Sequence, residues 1–131
     1  MYCLDTNIII ALFRGDKKVK DKLTLAQNLN EEICTTTINL CELYKGVYLS
    51  NQPEKNLELI KEFLASIKIL NLSERSSHIF GKEYSKLKTN GKLISETDLM
   101  IACIVKAENK TLITRNTKHF KEITDFSVEE W

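Results

Sequence analysis

Apolar residues recur along this chain in two rhythms, short runs of three or four and longer stripes spaced by three and four. Tyr2-Cys3-Leu4 is a run long enough for a small buried strand. Asp5-Thr6-Asn7 interrupts it with side chains that favour turns and helix N-caps over strand interiors. In Ile8 to Phe13, three consecutive isoleucines suggest a strand. The capping residues ahead and Arg14-Gly15-Asp16 behind suit a short buried helix instead, and both readings stay open. Lys17 to Leu29 reads as a helix with Val19, Leu23 and Ala26 on one face. Glu32 to Thr36 reads as a strand ending in hydroxyl residues.

Thr37 is expected to cap a helix over Ile38 to Ser50, with Leu40, Leu43, Tyr44 and Val47 at helical spacing. Pro53 suits the first turn of the next helix, whose stripe is Leu57, Ile60, Leu64 and Ile67. A short strand over Ile67 to Leu70 follows. Ser73 opens a helix through Thr89, with Phe80, Tyr84 and Leu87 inward and a stop near Asn90-Gly91. Ser95 caps a helix over Glu96 to Glu108. Thr111 to Thr114 is a strand, Thr117 to Phe120 one helical turn, and Phe126 to Val128 a last edge strand. Short strands alternating with helices predict βαβ units and a mostly parallel sheet covered on both faces.

Composition narrows the class without choosing a function. At 131 residues, 43% hydrophobic and 28% charged, the sequence describes one ordinary globular domain over residues 1–131. The net charge of +1 provides no global field for a polyanion, so nucleic-acid contacts must come from local clusters among the 19 Lys and Arg residues. Cys3, Cys34, Cys41 and Cys103 have no CxxC spacing and lie in apolar contexts, as small core residues of a reducing cytosol do. No leader is expected ahead of the first strand. The apolar runs are too short for a membrane span, so the expected location is cytoplasmic.

The chemistry is expected from acids. Asp5 follows a strand, at the sheet edge where α/β folds bind ligands; capping the next helix would explain it equally well. Asp98 heads the stripe Ile101, Ala102, Val105, where a charge is costly unless paired or metal-bound. Its simpler reading is a favourable charge at a helix N-terminus, a role that Glu96, off the stripe, fills better. Glu42 lies one face-turn from Ile38, with Lys45 as a surface partner in its simpler reading. Asn116 ends a strand in polar side chains, and turn capping is its simpler explanation. All four positions fall at strand ends or in the first turns of helices leaving them, hence on one edge of a parallel sheet. Carboxylates gathered there repel one another unless a cation lies between them. Oxygen ligands without His or Cys favour Mg²⁺ or Mn²⁺ over zinc, and such an ion suits phosphodiester hydrolysis.

Four blocks of the chain resemble the signature blocks of a PIN domain: LDTN at Leu4 to Asn7, CELYKG at Cys41 to Gly46, ISETDLMIA at Ile94 to Ala102, and LITRNTKHF at Leu112 to Phe120. More narrowly, the chain is similar to the VapC toxins of type II toxin–antitoxin pairs, from Met1 to Trp131. The resemblance implies a Rossmann-like three-layer α/β/α sandwich and a Mg²⁺-dependent endoribonuclease. By matching blocks, Asp5 and Asp98 are metal ligands, Glu42 is the third acid and directs the attacking water, and Thr6 supports them. The fourth acidic position falls at Asn116, which removes a charge and puts a second tightly held metal in doubt; Glu96 is placed to compensate in part. The implied products are a 3′-hydroxyl and a 5′-phosphate. Lys45, Lys82, Lys86, Arg115, Lys118 and His119 are candidate phosphate contacts, with solvated helix faces as the alternative. The family implies a homodimer and a VapB-like antitoxin.

Other classes fit less well. A receiver-like domain needs adjoining acids in its first loop, and a haloacid-dehalogenase-type phosphatase needs an Asp where Asn7 stands. An RNA-processing PIN nuclease without an antitoxin, or an inactive PIN fold that binds RNA or protein, remains a competitor.

Overall fold

The computed structural model describes residues 1–131. Five strands form one sheet: β1 (Tyr2–Leu4), β2 (Ile33–Thr36), β3 (Lys68–Leu70), β4 (Thr111–Ile113) and β5 (Ser127–Glu129), in the order β3-β2-β1-β4-β5. Every pairing is parallel, with Tyr2 opposite both Ile33 and Thr111. The first strand of the chain is therefore the middle strand of the sheet.

Successive side chains of a strand point to opposite faces, and this alternation divides the interior. Cys3, Cys34, Leu70 and Leu112 face a core built with α5 (Glu74–Thr89) and α6 (Glu96–Ala107). Leu4, Ile33 and Ile113 face a second core built with α1 (Thr6–Phe13), α2 (Lys17–Asn28), α3 (Thr37–Tyr48) and α4 (Pro53–Leu64). This is the expected three-layer α/β/α sandwich. α6 is buried almost all round, from Leu99 through Val105, because it packs on both the sheet and α5.

The isoleucine run after Asp5 is a helix. Asp5 accepts from the backbone N–H of Thr6, and Ile8 and Ile9 go into the core. Other boundaries shift by a residue or two. α3 is capped by Thr36 rather than Thr37: the Thr36 hydroxyl accepts from Asn39 N while the Asn39 side chain accepts from Thr36 N. That reciprocal box satisfies two amides the helix cannot satisfy itself.

Three expected inward residues lie outside. Tyr84 is 38% exposed and stacks on Phe80 at 6.0 Å on the outer side of α5, whose buried positions are Ser76, Glu83 and Leu87. Tyr44 is 37% exposed at the margin of α3. Cys41 is also exposed, because it lies opposite the stripe formed by Asn39, Leu43 and Val47; the other three cysteines are buried, and all four are free. No helix is long and apolar enough to cross a membrane.

Candidate active site

Strand order reverses at β1, whose connections run to β2 on one side while β4 lies on the other. Crevices at the carboxyl ends of such strands are where α/β folds place ligands. Asp5 leaves β1 at this point, and Thr114, Arg115 and Asn116 leave β4 beside it. Glu42 comes from the second turn of α3 and Asp98 from the first turn of α6, the helices that follow β2 and precede β4.

Asp5 is 5% exposed, and both carboxylate oxygens are engaged. Oδ1 accepts from Thr6 N at 2.8 Å and Asn39 Nδ2 at 2.9 Å, and Oδ2 accepts from the Thr114 hydroxyl at 2.7 Å. Every donor is neutral. Burial pushes the Asp5 carboxyl above its ordinary range, the nearby Asp98 charge pushes it further, and the hydrogen bonds offset part of the rise.

Glu42 is joined to Asp5 through one residue. Thr6 donates its hydroxyl to Glu42 Oε1 at 2.8 Å and follows Asp5 directly in the chain. Burial again raises the Glu42 carboxyl, with Asp5 and Asp98 adding to it. Lys45 lowers it only from a distance, so the expected surface pair with Lys45 is replaced by the contact with Thr6.

Asp98 is held at the mouth by its helix. Ser95 Oγ accepts from Asp98 N at 3.2 Å, and Asp98 Oδ2 lies 3.1 Å from His119 Nδ1. Asn116 is exposed at the rim; its backbone N–H donates to Thr114 Oγ1 at 3.1 Å while its side chain makes no cap. Glu96 is exposed in the first turn of α6 and forms no ion pair. Asp5, Glu42 and Asp98 thus share one crevice and Asn116 borders it, while Glu96 bonds to none of them.

Thr114 was read only as the polar end of a strand beside Asn116, and Asn39 escaped the sequence reading. Thr114 is fully buried and links Asp5 to Asn7 Nδ2 (3.2 Å) and to Asn116. Asn39, also fully buried, bonds both Asp5 and Thr6. The available signal for Asn39 was an amide in series with Leu43 and Val47, a polar group on a buried stripe.

The acids and amides offer oxygen donors, a set suited to a hard divalent cation. No three His, Cys, Asp or Glu side chains close into a finished metal cage. The fit rests on the raised carboxyls of Asp5 and Glu42, which a nearby cation would relieve.

The sequence profile of the PIN domain matches residues 2–125. The chain belongs to the PIN domain family. Its PIN fold is shared with known proteins along almost the whole length. Ribonuclease VapC2 of Haemophilus influenzae is 31% identical, covering 99% of this chain and 97% of the relative. The tRNA(fMet)-specific endonuclease VapC of Shigella flexneri is 28% identical with the same coverage. The crystal structure of VapBC2 from Rickettsia felis, bound to a DNA fragment from its promoter, superposes with a TM-score of 0.93 at 34% identity, covering 99% of this chain and 98% of that one.

Proposed function

We propose that this PIN domain, spanning residues 1–131, is a divalent-metal-dependent endoribonuclease, the toxin member of a VapBC-type pair acting in the cytoplasm. The observation that carries the reading is the environment of Asp5: a carboxylate 5% exposed, bonded only to neutral donors, raised chiefly by burial and further by a second acid across the crevice. A site that concentrates negative charge without a lysine or arginine is prepared for a cation. The VapC relatives, named as ribonucleases, supply the substrate class.

Asp5 and Asp98 would hold Mg²⁺ or Mn²⁺. A hard ion held there would supply acidification of a water and charge compensation for the phosphate. Glu42, fixed by Thr6, orients the attacking water and takes its proton, a role that its raised carboxyl suits. Asn116, neutral at the rim, positions the phosphodiester without adding repulsion. The cut leaves a 3′-hydroxyl and a 5′-phosphate.

Two grooves lie beside residues of the crevice, and an RNA strand entering it would meet their basic side chains. One, of about 510 Å³, is lined by Arg14 and Arg115 beside Asn7. The other, of about 460 Å³, is lined by Lys92, Lys118 and His119 beside Asp98. Of the candidate phosphate contacts, Lys118 borders the second groove without an ion pair, while Arg115 is paired with Asp16 at 2.6 Å, His119 with Asp98 at 3.1 Å and Lys86 with Glu83 at 3.7 Å. The VapBC complexes among its structural relatives support a VapB-like antitoxin as partner, and the family resemblance implies a homodimer.

Cleavage of a labelled RNA by wild type and Asp98→Asn, each with Mg²⁺ and with EDTA, tests the reading. Cleavage by wild type with Mg²⁺ alone is expected. Cleavage that survives both the substitution and chelation sinks it.

A further inference from the structure

α3 buries one amide that hydrophobic packing does not explain. Asn39 has no exposed surface and sits in series with Leu43 and Val47. Its two ends do different things. Oδ1 accepts from Thr36 N at 3.3 Å and from the Thr36 hydroxyl at 2.7 Å. Nδ2 donates to Asp5 Oδ1 at 2.9 Å and to Thr6 Oγ1 at 3.0 Å. Turning the amide over would set its N–H₂ against the Thr36 N–H and its oxygen against the Asp5 carboxylate. The orientation is therefore fixed.

The fixed orientation propagates. Because Thr6 Oγ1 accepts from Asn39, its single hydrogen is directed away, onto Glu42 Oε1 at 2.8 Å. Asp5 Oδ1 is occupied by Asn39 and Thr6 N, which leaves Oδ2, with Thr114 as its one donor, as the less satisfied oxygen. One side chain on α3 thereby sets both carboxylates. It does so without a positive charge, so the acids remain uncompensated. A helix cap requires only the acceptor end of this amide; the donor end faces the acids.

We propose that Asn39 is a positioning residue for phosphodiester hydrolysis, fixing the Asp5 carboxylate directly and Glu42 through the Thr6 hydroxyl. The inference rests on the nuclease reading above. Two variants separate this role from capping. Asn39→Asp keeps an acceptor for Thr36 and replaces the donor end with a second acceptor. Asn39→Ala removes both ends and adds no buried charge, so it repeats the measurement should the first variant not fold.

The measurements are melting temperature, Mn²⁺ affinity by electron paramagnetic resonance, and kcat and KM on a short RNA at saturating metal, well below melting. Groups that orient metal ligands typically contribute about 10- to 100-fold in affinity or activity. A kcat loss of that size in both variants, with KM within about twofold of wild type, is expected, together with Mn²⁺ binding weakened about tenfold in Asn39→Ala. Variants that melt lower but keep wild-type kcat and Mn²⁺ affinity reduce Asn39 to a cap and overturn the inference alone. A wild type that neither binds Mn²⁺ nor cuts RNA overturns the nuclease reading and this inference with it.

Discussion

Two carboxylates in this molecule are almost equally hidden, Asp5 at 5% exposure and Glu83 at 3%, and they are satisfied in opposite ways. Glu83 on α5 lies 3.0 Å from Lys106 Nζ on α6 and 3.7 Å from Lys86. Lys106 also donates to the Thr124 carbonyl at 2.7 Å, so the pair ties α5, α6 and the loop before β5 together. Asp5 has no cation at all, only amides and hydroxyls, with another acid across the crevice. A buried charge with its counter-ion supplied by the chain is a joint. One whose counter-ion is withheld is a candidate receptor for a cation.

The sharpest way to break this comparison is to neutralise each acid. Asp5→Asn is expected to lower RNA cleavage by three orders of magnitude or more, roughly what losing about 4 kcal/mol of transition-state stabilisation means. It should also raise the metal-free melting temperature by a few degrees. The new amide still caps α1, and one mutually repelling charge is gone. Glu83→Gln should do the reverse, leaving cleavage intact while costing about 1–2 kcal/mol, because Lys106 is partly exposed and keeps its bond to Thr124. That corresponds to a melting-temperature drop of roughly 3–8 °C in calorimetry. A cleavage loss in Glu83→Gln with Asp5→Asn unaffected would invert the assignment.

Metal should act on one acid and not the other. Mn²⁺ at a hundredfold excess over its dissociation constant adds about 2.7 kcal/mol to the folded state. A thermal-shift series should therefore rise for wild type and Glu83→Gln but stay flat for Asp5→Asn.

The smallest effect is on pH. Asp5 and Glu42 have carboxyls raised in the folded state, chiefly by burial. Their contribution to stability is complete below the unfolded value of about 4 and is lost as pH rises through the higher folded values. Asp16 and Glu32 oppose them, their carboxyls lowered chiefly by hydrogen bonds from Arg115 and Lys110. Their stabilisation is present above about 4 and is lost as pH falls through the lowered folded values. In EDTA, the melting-temperature gap between Asp5→Asn and wild type should narrow as pH falls from 8 toward about 5. A gap that widens instead would mean that the Asp5 charge stabilises the metal-free fold.

The two acids also mark what sequence can show. Asp5 was legible because local chemistry placed it, between an apolar run and a helix: it caps α1, and it lies at the carboxyl end of β1 in the crevice that Asp98 shares. The element order and the parallel sheet were legible for the same reason, since spacing is a property of neighbours in the chain. Glu83 was not, because its burial depends on Lys106, which periodicity cannot see. The expected stripe of α5 ran through Tyr84, which the structure leaves on the outside, while its neighbour Glu83 is buried. Asn39 was missed because an amide in a buried series has no meaning until its partners, from the loop before α1, are brought to it.

The central place of β1 has a consequence for how the protein is made. Tyr2–Leu4 precedes the other four strands along residues 1–131, yet one of its two neighbours is Thr111–Ile113. Parallel pairing across such a span is slow and late. Thr114 reaches Asp5 only after most of the polypeptide has been synthesised. A fragment that ends before β4 therefore carries the acids without the geometry that gathers them.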